Sequence, residues 1–204
     1  MDDSYLTIRK AAHHEIKVKG SRFIGEVLMV GSVDIALEAL QAIRKREYNA
    51  THHCYAWIVG RGRETAFKYS DDGEPGGTAG KPIYDVVSGT GVTNVLCVVT
   101  RYFGGTKLGT GGLVRAYGEA ASKALAAAGT QACFDTVDYR LQLEFSLYDR
   151  WQLQLKALEA EVAASDFSDH VRLTVRVRVS RAEAMVRQFT ELTAGRGVCE
   201  RIPD

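Results

Sequence analysis

Five glycines fall within nine residues, Gly104 to Gly112, in a stretch that joins an apolar strand-like run to a helix-like one. The stretch reads Arg101-Tyr-Phe-Gly-Gly-Thr-Lys-Leu-Gly-Thr-Gly-Gly-Leu-Val-Arg115. Glycine weakens regular structure, but it accepts φ > 0 and lets a backbone approach a neighbour closely. Such a junction has two readings. In the first, the backbone of Gly104, Gly105, Gly109, Gly111 and Gly112, the following helix N-terminus and Arg101, Lys107 and Arg115 cradle a phosphate. In the second, the glycines form a tight turn that packs strand against helix. Two nucleotide templates are excluded. Thr110 stands where a Walker loop needs lysine, and Val114 stands where a dinucleotide fingerprint needs its third glycine.

The chain has 204 residues with a net charge of +1, which gives no overall bias toward nucleic acid or membrane. The charge is uneven along it. Residues 1–133 hold 16 Lys/Arg against 13 Asp/Glu, and residues 134–204 hold 10 against 12. A mildly basic first half suits an anionic partner. Cys54, Cys97, Cys133 and Cys199 are scattered with no C-x-x-C pair, which excludes a zinc ribbon or a thioredoxin motif. No secretory pattern opens the chain, and no apolar run reaches the length of a membrane span. A cytoplasmic protein with reduced thiols is expected.

The patterning predicts an α+β protein of two α/β two-layer domains, residues 1–131 and 132–204. In the first, Ile16 to Val18 and Phe23 to Val30 read as a hairpin about Gly20-Ser21. A helix follows, capped by Ser32 or Asp34, with Ala36, Leu37, Leu40 and Ile43 inward. Cys54 to Val59 and Thr65 to Tyr69 are strands. A helix starts near Thr78 with Ile83, Val86 and Val87 inward. Asn94 to Thr100 is a buried central strand, and Leu113 to Ala128 is an Ala-rich helix. Gly129-Thr130-Gln131 marks the boundary. Beyond it the order β-α-β-β-α-β is that of a ferredoxin-like domain.

Three further clusters carry chemistry. Asp71, Asp72 and Glu74 are weak candidates for a hard cation such as magnesium, or else cap the nearby helix and pair with Lys81. His52-His53-Cys54 has metal-ligand residue types, but neighbouring strand side chains point to opposite faces, so only His52 and Cys54 share one. Core packing is the simpler reading, with a histidine left to reach phosphate. Tyr102 and Phe103, beside Arg101, are placed to stack on bases or to pack inside. No catalytic motif is present, and no cofactor is called for.

Four segments together resemble a known family. They are Lys19-Gly-Ser-Arg-Phe-Ile24, His52-His-Cys-Tyr-Ala-Trp57, Ser70-Asp-Asp-Gly-Glu-Pro-Gly-Gly-Thr-Ala-Gly-Lys-Pro82, and Val99 through the glycine run to Tyr117. From residue 17 to about 125 the chain resembles the IMPACT family, in its bacterial YigZ-like branch. The resemblance implies a first domain folded like the second domain of a small-subunit ribosomal protein and of elongation factor G. It implies a second, ferredoxin-like domain similar to that factor's C-terminal domain. Eukaryotic members regulate translation by competing for the activator of an initiation-factor kinase, partly through an extra N-terminal domain for which this chain has no room. The expectation is a non-catalytic, translation-associated regulator that binds RNA or ribosome. Arg101, Lys107 and Arg115 would meet phosphates, with Arg22, His52, His53 and Lys81 in support. The alternatives are a magnesium-dependent enzyme acting on a nucleotide or phosphorylated small molecule, and a protein-binding regulator.

Overall fold

A computed structural model describes residues 3–203, in two compact units. One spans Tyr5–Ala132. The other comprises the described residues from Cys133 onward together with Asp3 and Ser4. In chain order the first elements are β1 (Ser4–Ile8), β2 (Ala12–Val18), β3 (Ser21–Met29), α1 (Val33–Arg46), β4 (His52–Val59), β5 (Ala66–Ser70), α2 (Gly80–Gly89), β6 (Val95–Tyr102), α3 (Thr110–Ala128) and β7 (Thr130–Phe134). There follow β8 (Thr136–Leu143), α4 (Tyr148–Ala157), β9 (Glu161–Phe167), β10 (Val171–Arg178), α5 (Val179–Leu192) and β11 (Val198–Arg201).

In the first unit the five-stranded antiparallel sheet runs β2-β3-β6-β4-β5, which puts β6 at its centre. The unbroken apolar runs of β4 and β6 follow from burial on both faces. Tyr55, Trp57, Leu96 and Val98 pack with Ala36, Leu40 and Ile43 of α1. The alternate residues Cys54, Ala56, Val95, Cys97 and Val99 pack with α2 and α3 on the other face. Side chains on that second face are small, and the helix above it is Ala-rich. Close approach results: a Cβ on Gly25 of β3 would lie 2.4 Å from the Ala120 carbonyl oxygen of α3.

In the second unit β8, α4, β9, β10, α5 and β11 build a sheet of order β11-β8-β10-β9, with every neighbouring pair antiparallel. This is the ferredoxin-like arrangement. Its core joins Val137, Leu141, Leu173 and Val175 to Trp151, Met185 and Phe189, with Trp151 edge-on to Phe189 at 5.0 Å. The Asp3 carboxylate accepts the Ser180 N–H (2.8 Å) in the first turn of α5, which brings the start of the chain into this unit.

Several local expectations change. Leu37 is 41% exposed, because α1 turns only Ala36, Leu40 and Ile43 inward. Helix α2 begins at Gly80 rather than near Thr78. Gly129 closes α3, and Thr130 and Gln131 already belong to β7, which pairs with β1 in a two-stranded ribbon. More than 120 residues separate those two strands, so no local pattern announces them. No helix among the described residues is long and apolar enough to cross a membrane.

Candidate nucleic-acid interface

The loop between β6 and α3 rests on the β2–β3 turn. A Cβ on Gly104 would come within 1.9 Å of the Gly20 carbonyl carbon, so two backbones touch where no side chain fits. The Gly104 N–H donates to Ser21 Oγ (3.2 Å), which ties the loop to that turn. Gly105 and Gly109 have φ of 84° and 74° with open space where a side chain would stand. Gly111 and Gly112 lie in the first turn of α3. The packed-turn reading therefore holds at one position of the run, and the other glycines differ from it. Gly104 makes a packed turn, while Gly105 and Gly109 shape an open loop.

Arg101 is not the exposed cation expected from the sequence. It is 5% exposed, and its Nη1 lies 2.5 Å from Glu74 Oε1. The Tyr117 hydroxyl donates to the same oxygen (2.7 Å), and burial pushes its own ionisation up, so it remains a donor. The guanidinium carbon sits 5.4 Å from the ring centres of both Phe23 and Phe103. A charge this deep needs such a partner, because desolvation of an unpaired ion is costly.

The other carboxylates of the acidic loop are also engaged. Asp71 accepts N–H groups from Gly77 (2.9 Å), Ala79 (2.9 Å) and Gly80 (2.8 Å), and so caps α2. Burial raises its pKa, but those three donors outweigh burial and hold it below the ordinary carboxylate range. Asp72, with φ 45°, accepts the His53 N–H (2.7 Å) and an Arg44 N–H (2.6 Å). The chain's own donors thus occupy both oxygens of Asp71 and both of Asp72, leaving Glu74 Oε2 as the one oxygen of these three carboxylates with no donor among the described residues. Among the described residues no three His, Cys, Asp or Glu side chains converge as a metal-ligand group.

The His52-His53-Cys54 cluster divides as strand alternation requires. His52 Nδ1 meets the Asp72 carbonyl at 2.8 Å, with its Nε2 3.9 Å from Glu74 Oε1. His53 points the other way and is 8% exposed, and burial lowers its pKa. Cys54 donates to the Asp71 carbonyl (3.0 Å), and burial pushes its thiol up, so it is a neutral core residue rather than a nucleophile. His52 is half-buried and His53 buried. Arg22 stacks 4.6 Å over Tyr102 and pairs with Glu15 (3.3 Å), and Lys81 pairs with Asp85 (2.5 Å). Those two cations lie outside the pockets described next.

The acidic loop and the glycine loop do share one site. Glu74 and Pro75 join Arg101, Phe103, Lys107, Leu108, Gly109, Thr110 and Leu113 around a pocket of about 370 Å³. Across Leu108 a second hollow of about 210 Å³ is lined by Lys19, Gly112, Arg115 and Glu119, among others. Lys107 and Arg115 are exposed, and neither forms an ion pair among the described residues. Between them the N-terminus of α3 has Gly109 at its cap, with no side-chain cap and no acidic residue in its first turn. Its first N–H groups and the helix dipole therefore face outward unneutralised. Lys19 and Tyr117 were not among the residues expected here. Lys19 belongs to a turn 88 positions before Lys107, and Tyr117 reads in sequence as one more apolar helix position.

Fold and site together define a two-unit α+β protein with an open glycine-rich loop flanked by exposed cations on its first unit and a ferredoxin-like second unit. The Impact N-terminal domain model matches residues 19–125, and a domain of unknown function, DUF1949, matches residues 141–196. The chain belongs to the IMPACT family. It is 35% identical to IMPACT family member YvyE of Bacillus subtilis, covering 95% of this chain and 88% of that one. It is 34% identical to IMPACT family member YigZ of Escherichia coli, covering 88% of each. A solved structure titled as that of a hypothetical protein matches over the full length of both chains, with a TM-score of 0.70 and 31% identity.

Proposed function

We propose that this protein is a translation-associated binding module that grips RNA, free or within the ribosome, at the N-terminus of α3. The observation that carries the reading is the uncapped helix end flanked by two exposed, unpaired cations, Lys107 and Arg115. Backbone N–H groups at a helix start bind phosphate without reading sequence, and the cations supply attraction at longer range. The link to translation rests on the family resemblance. Engagement of Asp71, Asp72 and Glu74 by the chain's own donors favours binding over magnesium-dependent catalysis.

Fluorescence anisotropy with a labelled single-stranded RNA tests this. Affinity should fall steeply as salt rises, with a log–log slope of about −0.7 for each phosphate neutralised. Lys107→Ala with Arg115→Ala should weaken binding at low salt and flatten that slope by about 1.4. An affinity that is absent at low salt, or indifferent to the double substitution, overturns the reading.

A protein partner has one specific observation in its favour. Phe67 and Tyr69 lie half-exposed on edge strand β5 and stack with Tyr84 at 4.9 and 5.5 Å. Exposed aromatics at a sheet edge suit a protein contact. Capture of a partner that survives nuclease treatment, and is lost with Phe67→Ala and Tyr69→Ala, would support it.

A further inference from the structure

We infer that the 370 Å³ pocket is a ribonucleotide site, with the phosphate at the start of α3, the base on Phe103 and a ribose hydroxyl on Glu74. This deepens the RNA reading above and rests on it for the macromolecule, though not for the pocket's own chemistry. The volume lies at the low end of the ~300–1,000 Å³ typical of small-ligand sites, which limits the occupant to about one nucleotide unit.

Four features point to that occupant. At one end, Gly109, Thr110 and Lys107 offer helix N–H groups and a free ammonium to a phosphate. Arg101 forms part of the wall, is 5% exposed, and has an Nε–H with no acceptor. Its Nη1 is held by Glu74 and its Nη2 lies 3.4 Å from Ser21 Oγ, so the guanidinium forms a fixed wall of the pocket. Phe103 is 48% exposed, its backbone N–H is held by Thr51 Oγ1 (3.1 Å), and its ring offers a face on which a base can stack.

Glu74 selects the class of ligand. Arg101 and Tyr117 both donate to Oε1, and no group among the described residues donates to Oε2. A carboxylate oxygen in a pocket repels phosphate and attracts a hydroxyl donor. A ligand with a phosphate at one end and hydroxyls a few bonds away satisfies both ends of the pocket. Ribose provides them, and its 2′-hydroxyl separates RNA from DNA. The neighbouring hollow with Lys19 and Arg115, across Leu108, then lies where an adjoining phosphate of the strand would pass.

The test is isothermal titration of the full-length protein with uridine and adenosine 5′-monophosphates, their 2′,3′-dideoxy counterparts and inorganic phosphate. The same nucleotides are also used as competitors against labelled RNA. The ribonucleotide should bind at least about tenfold tighter than the dideoxynucleotide, as expected for a hydroxyl on a charged acceptor. Phe103→Ala and Lys107→Ala should each weaken it severalfold. Equal affinity for the ribo and dideoxy forms overturns the inference, as does RNA binding that mononucleotides do not displace; the latter leaves the RNA reading standing. Mononucleotide binding with the stated discrimination, but no affinity for the RNA strand, upholds the pocket and sinks the RNA reading.

Discussion

The Arg101 guanidinium and the Glu74 carboxylate, 27 positions apart in sequence, form an ion pair of 2.5 Å inside the first unit, each side chain less than one-tenth exposed. The pair joins the end of β6 to the acidic loop. It thereby gives the glycine loop a firm wall to stand against.

Removing one partner leaves the other charge buried and alone. Arg101→Ala should therefore cost about 3–5 kcal/mol of stability. Lys107→Ala, on an exposed loop, should stay within about 0.5 kcal/mol. Urea denaturation of the two variants beside the parent measures both, and equal midpoints for all three proteins would contradict the structural role given to Arg101.

The glycines of the run should differ in tolerance. Gly104→Ala forces a Cβ into the Gly20 backbone, so the loop must move and stability should drop by at least about 1 kcal/mol. Gly111→Ala places its Cβ 3.7 Å from Arg115 Nη1, an ordinary contact, and gains up to about 1 kcal/mol of helix propensity. Melting temperatures of the two single variants should therefore move in opposite directions.

His53 makes stability depend on pH. Burial holds its folded pKa below the unfolded value of about 6.5, against the opposing pull of Asp72. As pH falls through 6.5 the unfolded chain takes up the proton first. Stability is then lost until pH passes the folded pKa, and above about 6.5 this residue contributes no slope. His53→Gln should remove that component, so melting curves between pH 7.5 and 5.5 should show a shallower decline than in the parent. Parallel declines would refute it.

The four thiols should react in two classes. Burial raises the pKa of Cys54 and pushes Cys97 up to about 12, while Cys133 and Cys199 are half-buried. At pH 8 a disulfide reagent such as Ellman's should label Cys133 first, then Cys199, whose pKa burial also raises. Cys54 and Cys97 should react only after denaturation. Mass mapping of labelled peptides over time decides this.

Much of the fold is legible in residue order. Alternation along Val171 to Arg178, and helical spacing around Trp151 and Phe189, suffice for the ferredoxin-like order of the second unit. The Ser32 cap and the basic last turn mark α1. Strand β1 and its partner β7 escape, since their pairing depends on a remote neighbour rather than on local pattern. The site is less legible. Arg101, Lys107 and Arg115 look equivalent in sequence, yet one is buried and paired while the other two are exposed.

The sequence by itself determined the strands and helices other than β1 and β7, and where the backbone must bend or touch. Those properties depend on residues a few positions apart, through side-chain period and glycine's φ freedom. Only the tertiary structure decided that Gly104 meets Gly20, that Glu74 neutralises Arg101, and that the acidic and glycine loops enclose one pocket. Such contacts depend on how β2, β3, β4 and β6 align side by side. That register is set by burial across the whole sheet and is written in no single stretch of the chain.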